Sequence, residues 1–168
     1  MLILLGQQIN TSEGLELLNI GDMSLPLSGA SIHEILTETP LHAWKIIPWA
    51  VGKWLGKRGE VVLDCLEKYP QGRFLLGDNG GRPWFWKNIK PFAVSEKKNL
   101  PIINGSDPLP VTNGYKTSGT FGNRIPLKLD INRPLASLAP ALSNQELTAF
   151  GKLSTAYDFV RNQISLRV

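Results

Sequence analysis

Two aspartates carry the clearest chemical potential in this chain, because each follows a short apolar run and opens a polar turn. They stand in Phe74-Leu75-Leu76-Gly77-Asp78-Asn79-Gly80-Gly81-Arg82 and in Ile102-Ile103-Asn104-Gly105-Ser106-Asp107-Pro108. A carboxylate at the end of a strand can ligate a metal, act as a general base, or clamp hydroxyl groups. Aspartate before Asn-Gly or before proline is also an ordinary turn residue that hydrogen-bonds its own backbone, so both roles stay open for Asp78 and Asp107.

A third polar loop, Pro48-Trp49-Ala50-Val51-Gly52-Lys53-Trp54, is followed by Lys57-Arg58. Lys53, Arg58 and Arg82 could together hold a phosphate or carboxylate, arginine as a planar fork and the glycines by freeing backbone N–H groups. The alternative is that they are solvated charges or partners of the two aspartates. Trp49, Trp54, Trp84 and Trp86 flank these loops, where their faces suit a sugar or a base, although packing across a barrel mouth or helix layer accounts for them better. Asn79 and Arg124 complete the set of candidate ligand-binding residues.

Other chemistries lack their motifs. His33 and His42 belong to no H-x-H, H-E-x-x-H or Cys/His cluster, so a dedicated zinc site is not indicated. No G-x-S-x-G elbow, P-loop or G-x-G-x-x-G occurs at a strand-to-helix junction. Cys65, the single cysteine, cannot form an internal disulfide and sits at an apolar-periodic position.

The elements that must position these loops can be read from periodicity. Leu2 to Ile9 and Leu15 to Ile20 are short apolar runs joined by Thr11-Ser12-Glu13-Gly14, which suggests a hairpin or adjacent strands. Ser31 with Glu34 forms a capping box, so a short helix starts near residue 31 and stops before Pro40. Trp44 to Trp49, Phe74 to Leu76 and Leu100 to Asn104 read as strands. Glu60 to Tyr69 and Phe92 to Lys98 read as helices between them. Strand, polar loop and helix in repetition predict parallel strands with crossovers, whose carboxyl ends gather the three loops at one mouth. Beyond Asp107 an extra strand is expected within residues 114 to 124, and Ile125 to Pro140 reads as an irregular connection. A second capping box at Ser143 and Glu146, then a helix from Thr155 to Arg167 with Ala156, Phe159, Val160 and Ile164 facing the core, close the chain.

The length of 168 residues fits one domain, or one with an appendage, and 42% apolar with 19% charged residues describes a globular chain. A net charge of +4, without a run of like charges, does not point to nucleic acid. No segment has the apolar length to span a bilayer, and Met1-Leu2-Ile3-Leu4-Leu5 lacks the features of a signal peptide, so no membrane partner and a cytoplasmic location are expected.

The segment order resembles the polymerase and histidinol phosphatase (PHP) family of metal-dependent phosphoesterases. The resemblance rests on Leu5 to Thr11, Glu13 to Gly21, Pro48-Trp49 and Asn104-Gly105-Ser106-Asp107. It implies an α/β fold, a partial or distorted β/α barrel with mostly parallel strands and an irregular segment and helices at the C-terminus. It also implies a core over 1–125 and a proline-rich connection with helices over 126–168. Where the family has a metal-binding glutamate stands Gln8, where it has the histidine after Gly-Ser-Asp stands Leu109, and the expected His-Pro pair reads Pro48-Trp49. Of the implied metal ligands Asp107 remains. The resemblance thus implies the family fold without its complete metal site. A divalent Mn, Fe or Zn ion would need ligands from an N-terminal part.

Two functions follow. One is a non-catalytic module binding an anionic or sugar-like small ligand at the barrel mouth. The other is a metal-dependent phosphoesterase using Asp107 and Asp78, completed elsewhere. A chain that opens within a strand is also expected to leave an edge for its C-terminal helix, a second copy or a missing N-terminal half to cover.

Overall fold

A computed structural model describes residues 2–23, 29–111, 114–144 and 146–166. Arg167, the end of the last expected helix, lies outside them. Each central strand carries two consecutive aliphatic residues, and a strand sends consecutive side chains to opposite faces. The sheet therefore has two apolar faces, each of which needs cover. The strands are β1 (Gly6–Asn10), β2 (Glu16–Ile20), β3 (Trp44–Pro48), β4 (Leu75–Asn79) and β5 (Ile102–Gly105), hydrogen-bonded in the order β1-β2-β3-β4-β5.

Register aligns the aliphatic pairs into two rows. Ile47, Leu76 and Ile102 are neighbours across β3, β4 and β5, and Leu18, Ile46 and Leu75 across β2, β3 and β4. The first row is covered by α1 (Ile32–Glu38), α2 (Gly56–Lys68) and α3 (Lys90–Lys97), through Ile35, Leu36, Val62, Cys65, Leu66 and Phe92. The second is covered by α4 (Pro134–Ser143), which places Leu142 against Ile46 and Leu75.

The expected β/α barrel is not what forms. The sheet is open and mixed: β1 and β2, and β2 and β3, pair antiparallel, while β3, β4 and β5 are parallel. The reason is local. Five residues, Thr11 to Leu15, join β1 to β2, with Thr11 N–H donating to Leu15 O at 2.9 Å and Gly14 at φ +76°. A parallel crossover needs a dozen or more residues, so this link permits only a hairpin. The strands are accordingly not mostly parallel either, since a second sheet of β6 (Gly122–Arg124) and β7 (Thr148–Phe150) is antiparallel.

The C-terminal part also differs from expectation. Residues 134–140, read as the end of an irregular connection, instead belong to α4, because Pro134 occupies its first turn, where a missing N–H costs nothing. Ser143 ends that helix instead of starting another. The last helix, α5 (Ala156–Ser165), does begin at a Thr155 cap, with Thr155 Oγ1 accepting from Asp158 N–H at 3.1 Å. Its expected core face is not buried: Val160 and Ile164 are exposed.

The capping box of α1 is present, Ser31 Oγ accepting from Glu34 N–H at 3.2 Å and Ser31 N–H donating to Glu34 at 2.7 Å. Two cations meet its other end, where the helix leaves carbonyls unpaired. Arg73 donates to Thr37 O at 2.7 Å and Thr39 O at 3.1 Å, and Lys45 Nζ donates to Pro40 O at 2.6 Å. Lys45 is 1% exposed, and burial pushes its pKa down to about 8, with Arg73 adding to the effect and Asp22 opposing it. The unfolded chain then binds the extra proton between about pH 8 and the ordinary lysine value of 10.5, so the cost of burying this charge is relieved as pH rises through that window. We expect the stability of the wild type relative to Lys45→Met to increase by up to about 3 kcal/mol across the window. Urea unfolding of both proteins at pH 7.5, 9 and 10.5 checks this, and a constant difference would contradict it.

Candidate functional site

The carboxyl ends of β3, β4 and β5 point the same way, and β2, running oppositely, begins there. Four elements thus deliver Glu16, Trp49, Asp78, Asn79 and Asp107 to one end of the sheet. Close approach of β3 and β4 depends on Gly77, where an added Cβ would lie 2.9 Å from Ile46 Cγ2 and 3.2 Å from Pro48 Cα. Trp49 N–H donates to Gly77 O at 2.7 Å and extends the pairing by one residue.

Asp78 and Asp107 lie at the same sheet end, as successive parallel strands require, but are bound to different partners. Asp78 is held by Arg82, whose Nε reaches Oδ1 at 2.7 Å and whose Nη2 reaches Oδ2 at 2.6 Å. The side chains of Arg82 and Asp78 are only 12% and 9% exposed. Arg82 further donates to Trp86 O at 2.7 Å and lies over the Phe92 ring, while Asn79 N–H donates to Asp78 Oδ1 at 2.9 Å. The pair fastens the loop after β4 to α3, which leaves Asp78 no oxygen free of a donor.

Asn79 is the residue that connects the strand ends. Its Nδ2 donates to Trp49 O at 2.8 Å and to Asp107 Oδ2 at 3.1 Å, bridging the ends of β3 and β5 from the end of β4. Asp107 is surface-exposed as a residue yet turns its carboxylate inward onto this amide. Its backbone sits at φ +43°, in the left-handed region that few residues other than glycine, asparagine and aspartate enter. Loss of solvent around the carboxylate raises its pKa above the ordinary value, and the negative charge of Glu16 raises it further.

The cations are already engaged. Lys53 pairs with Glu16, and Arg58 donates to Gly52 O at 2.9 Å and Gly14 O at 3.4 Å. Arg124 stands apart on β6 with its guanidinium 5.6 Å from the Phe150 ring centre. Three of the tryptophans pack, Trp49 meeting Trp86 edge-on and Trp54 meeting Phe92, whereas Trp84 is exposed. Glu16 was not among the expected site residues. The signal was its place at the start of a strand paired antiparallel to β3, which follows from the hairpin but not from residue type.

Among the described residues no group of three or more histidine, cysteine, aspartate or glutamate side chains is placed to hold a metal ion. The donors present therefore do not fit the multinuclear centre that the PHP resemblance implies. A cavity of about 270 Å³ lies elsewhere, along the outer edge of β5, lined by residues including Glu96, Ile102, Asn104, Asn123 and Leu147. No family model matches the chain, and neither a curated protein nor a solved structure is significantly similar to it. The PHP resemblance thus gains no support from relatives, and its barrel is absent. No helix among the described residues is long and apolar enough to cross a membrane.

Two outcomes follow. Arg82→Met should cost about 3–5 kcal/mol because it strands a buried carboxylate, and Asp78→Asn in the same chain should recover a substantial part; urea unfolding measures both. Asp107 behaves oppositely. Its raised folded pKa means the native state binds the proton more tightly than the unfolded chain, so stability falls as pH rises through the carboxyl range. Asp107→Asn, which keeps an acceptor and tolerates positive φ, should raise Tm at pH 7. The gain should vanish near pH 3.5, and thermal melts at both pH values check it.

Proposed function

We propose that the chain is a non-catalytic module that binds a small, hydroxyl-rich, sugar-like ligand at the carboxyl end of β3, β4 and β5. The observation that carries this reading is the Asn79–Asp107 contact beside Glu16. It sets two carboxylates and an amide where the strand ends converge, and holds one carboxylate in a costly ionised, left-handed position. Carboxylate and amide oxygens accept from hydroxyl groups, and aspartate can take two hydroxyls at once. Strain and partial desolvation kept at a strand end are features of binding sites more than of turns.

An anionic ligand is the less favoured half of the original alternative. Lys53 and Arg82 are neutralised by Glu16 and Asp78, Arg58 is spent on carbonyls, and Arg124 lies on another sheet. A phosphate would meet the carboxylate of Asp107, while Lys53 and Arg82, the cations delivered to this end of the sheet, are already paired.

Chemical-shift mapping with ribose, glucose and myo-inositol, and separately with inorganic phosphate and with Mn²⁺, tests the reading. A neutral polyol should shift the amides of residues 79 and 105–107, and Asp107→Asn should weaken that binding at least about tenfold, in line with loss of a charge-assisted hydrogen bond. Phosphate binding at these residues, or tight Mn²⁺ binding lost in Asp107→Asn, would overturn it, the latter in favour of a metal-dependent hydrolase.

A further inference from the structure

Helix α5 is amphipathic the wrong way round for a helix docked on its own domain. Phe159 packs edge-on against Trp86, and Asp158, Asn162 and Gln163 share its half-buried side, yet no residue of the helix is fully buried. The outward side carries Tyr157, Val160, Arg161 and Ile164, at the i, i+3, i+4, i+7 spacing of a single stripe. Tyr157, Val160 and Ile164 are 74%, 54% and 59% exposed. Beside the helix start, where Trp84 N–H donates to Ser154 O at 3.0 Å, Trp84 and Phe85 are 56% and 51% exposed.

We propose that this stripe is the self-complementary interface of a two-fold homodimer, in which α5 packs antiparallel against α5 of a second copy. The spacing is compatible with that occupant. A two-fold axis between positions 160 and 161 sets Val160 beside Arg161 of the second copy and, by the same operation, Tyr157 beside Ile164. One stripe thereby covers itself, as an isologous contact requires. Arg161 does not oppose this: it pairs with Asp158 at 3.0 Å and lies over the Tyr157 ring at 5.7 Å, so its charge is met within its own helix while its stem offers apolar surface. Tyr157, Val160 and Ile164 of the stripe with the adjoining Trp84 and Phe85, at about 100 Å² each, give roughly 1,000 Å² over both copies, the area of a weak, reversible interface. Aromatic residues and arginine are also the types enriched in such contacts.

Sedimentation velocity of the full chain between about 1 and 100 μM should show a monomer–dimer equilibrium. Val160→Glu with Ile164→Glu should weaken it at least about 100-fold, whereas Lys116→Glu, on the exposed surface elsewhere, should leave it unchanged. Both glutamates replace exposed residues, and an unaltered circular dichroism spectrum confirms the fold. Cross-linking reads the register independently of affinity. Val160→Cys, next to the axis, should form a disulfide-linked dimer on mild oxidation, Tyr157→Cys should not, and Cys65 is buried and does not compete. A chain that stays monomeric at 100 μM overturns the proposal, including one that instead binds anionic phosphatidylserine vesicles through the stripe. A dimer that survives the double substitution, or that cross-links as readily through Tyr157→Cys, overturns it equally.

Discussion

The whole arrangement depends on the pairing register of β3 with β4. Setting Ile46 beside Leu75 and Ile47 beside Leu76 puts one aliphatic row on each face, and a slip of one residue would exchange the rows. That register brings Gly77 against Pro48, where the missing Cβ allows the strands to close. It also sets how far Trp49 extends past the sheet, and so whether Asn79 can reach its carbonyl. The site at the strand ends is a consequence of core packing, since Asn79 bridges β3 to β5 only when the three strands end at matching heights.

Charge is distributed in a way that separates structure from function. Asp78 with Arg82 and Glu16 with Lys53 are opposite charges joined directly, and Arg73 and Lys45 are engaged by carbonyls at and just beyond the end of α1. Asp107 is different: Asn79, which donates to it, is neutral, and the negative charge of Glu16 opposes its ionisation. Keeping that carboxylate ionised opposes folding, which is why the weight of the proposed reading falls there and not on Asp78, whose charge is met by Arg82.

The edges of the sheet are handled unequally. The outer side of β5 is met by the β6–β7 ribbon, where Asn123 Oδ1 accepts from Asn104 N–H at 2.6 Å. That contact occupies a backbone donor that an open edge would otherwise present. Helix α5 is not used as an edge cover. It is anchored through Phe159 near Trp86, and its exposed stripe remains as surface.

Local chemistry was legible in the sequence because it depends on neighbours within a few residues. The Ser31–Glu34 cap, the Thr11–Gly14 turn, the two helices between parallel strands, and the common end shared by Asp78 and Asp107 all follow from spacing and turn type. The barrel expectation failed on the same ground: the five residues joining β1 to β2 allow a hairpin alone, and a resemblance of segment order does not constrain how strands pair. Arg82 stands four residues from Asp78, so that pairing was within reach of local reading, whereas Asn79 and Glu16 come to Asp107 from other strands and only the fold brings them there. The same holds for α5, whose apolar spacing is visible in the sequence but whose facing depends on the half-buried anchorage of Phe159. Periodicity determines that a helix has an apolar side, whereas only the packing of distant segments decides whether that side faces the core or the solvent.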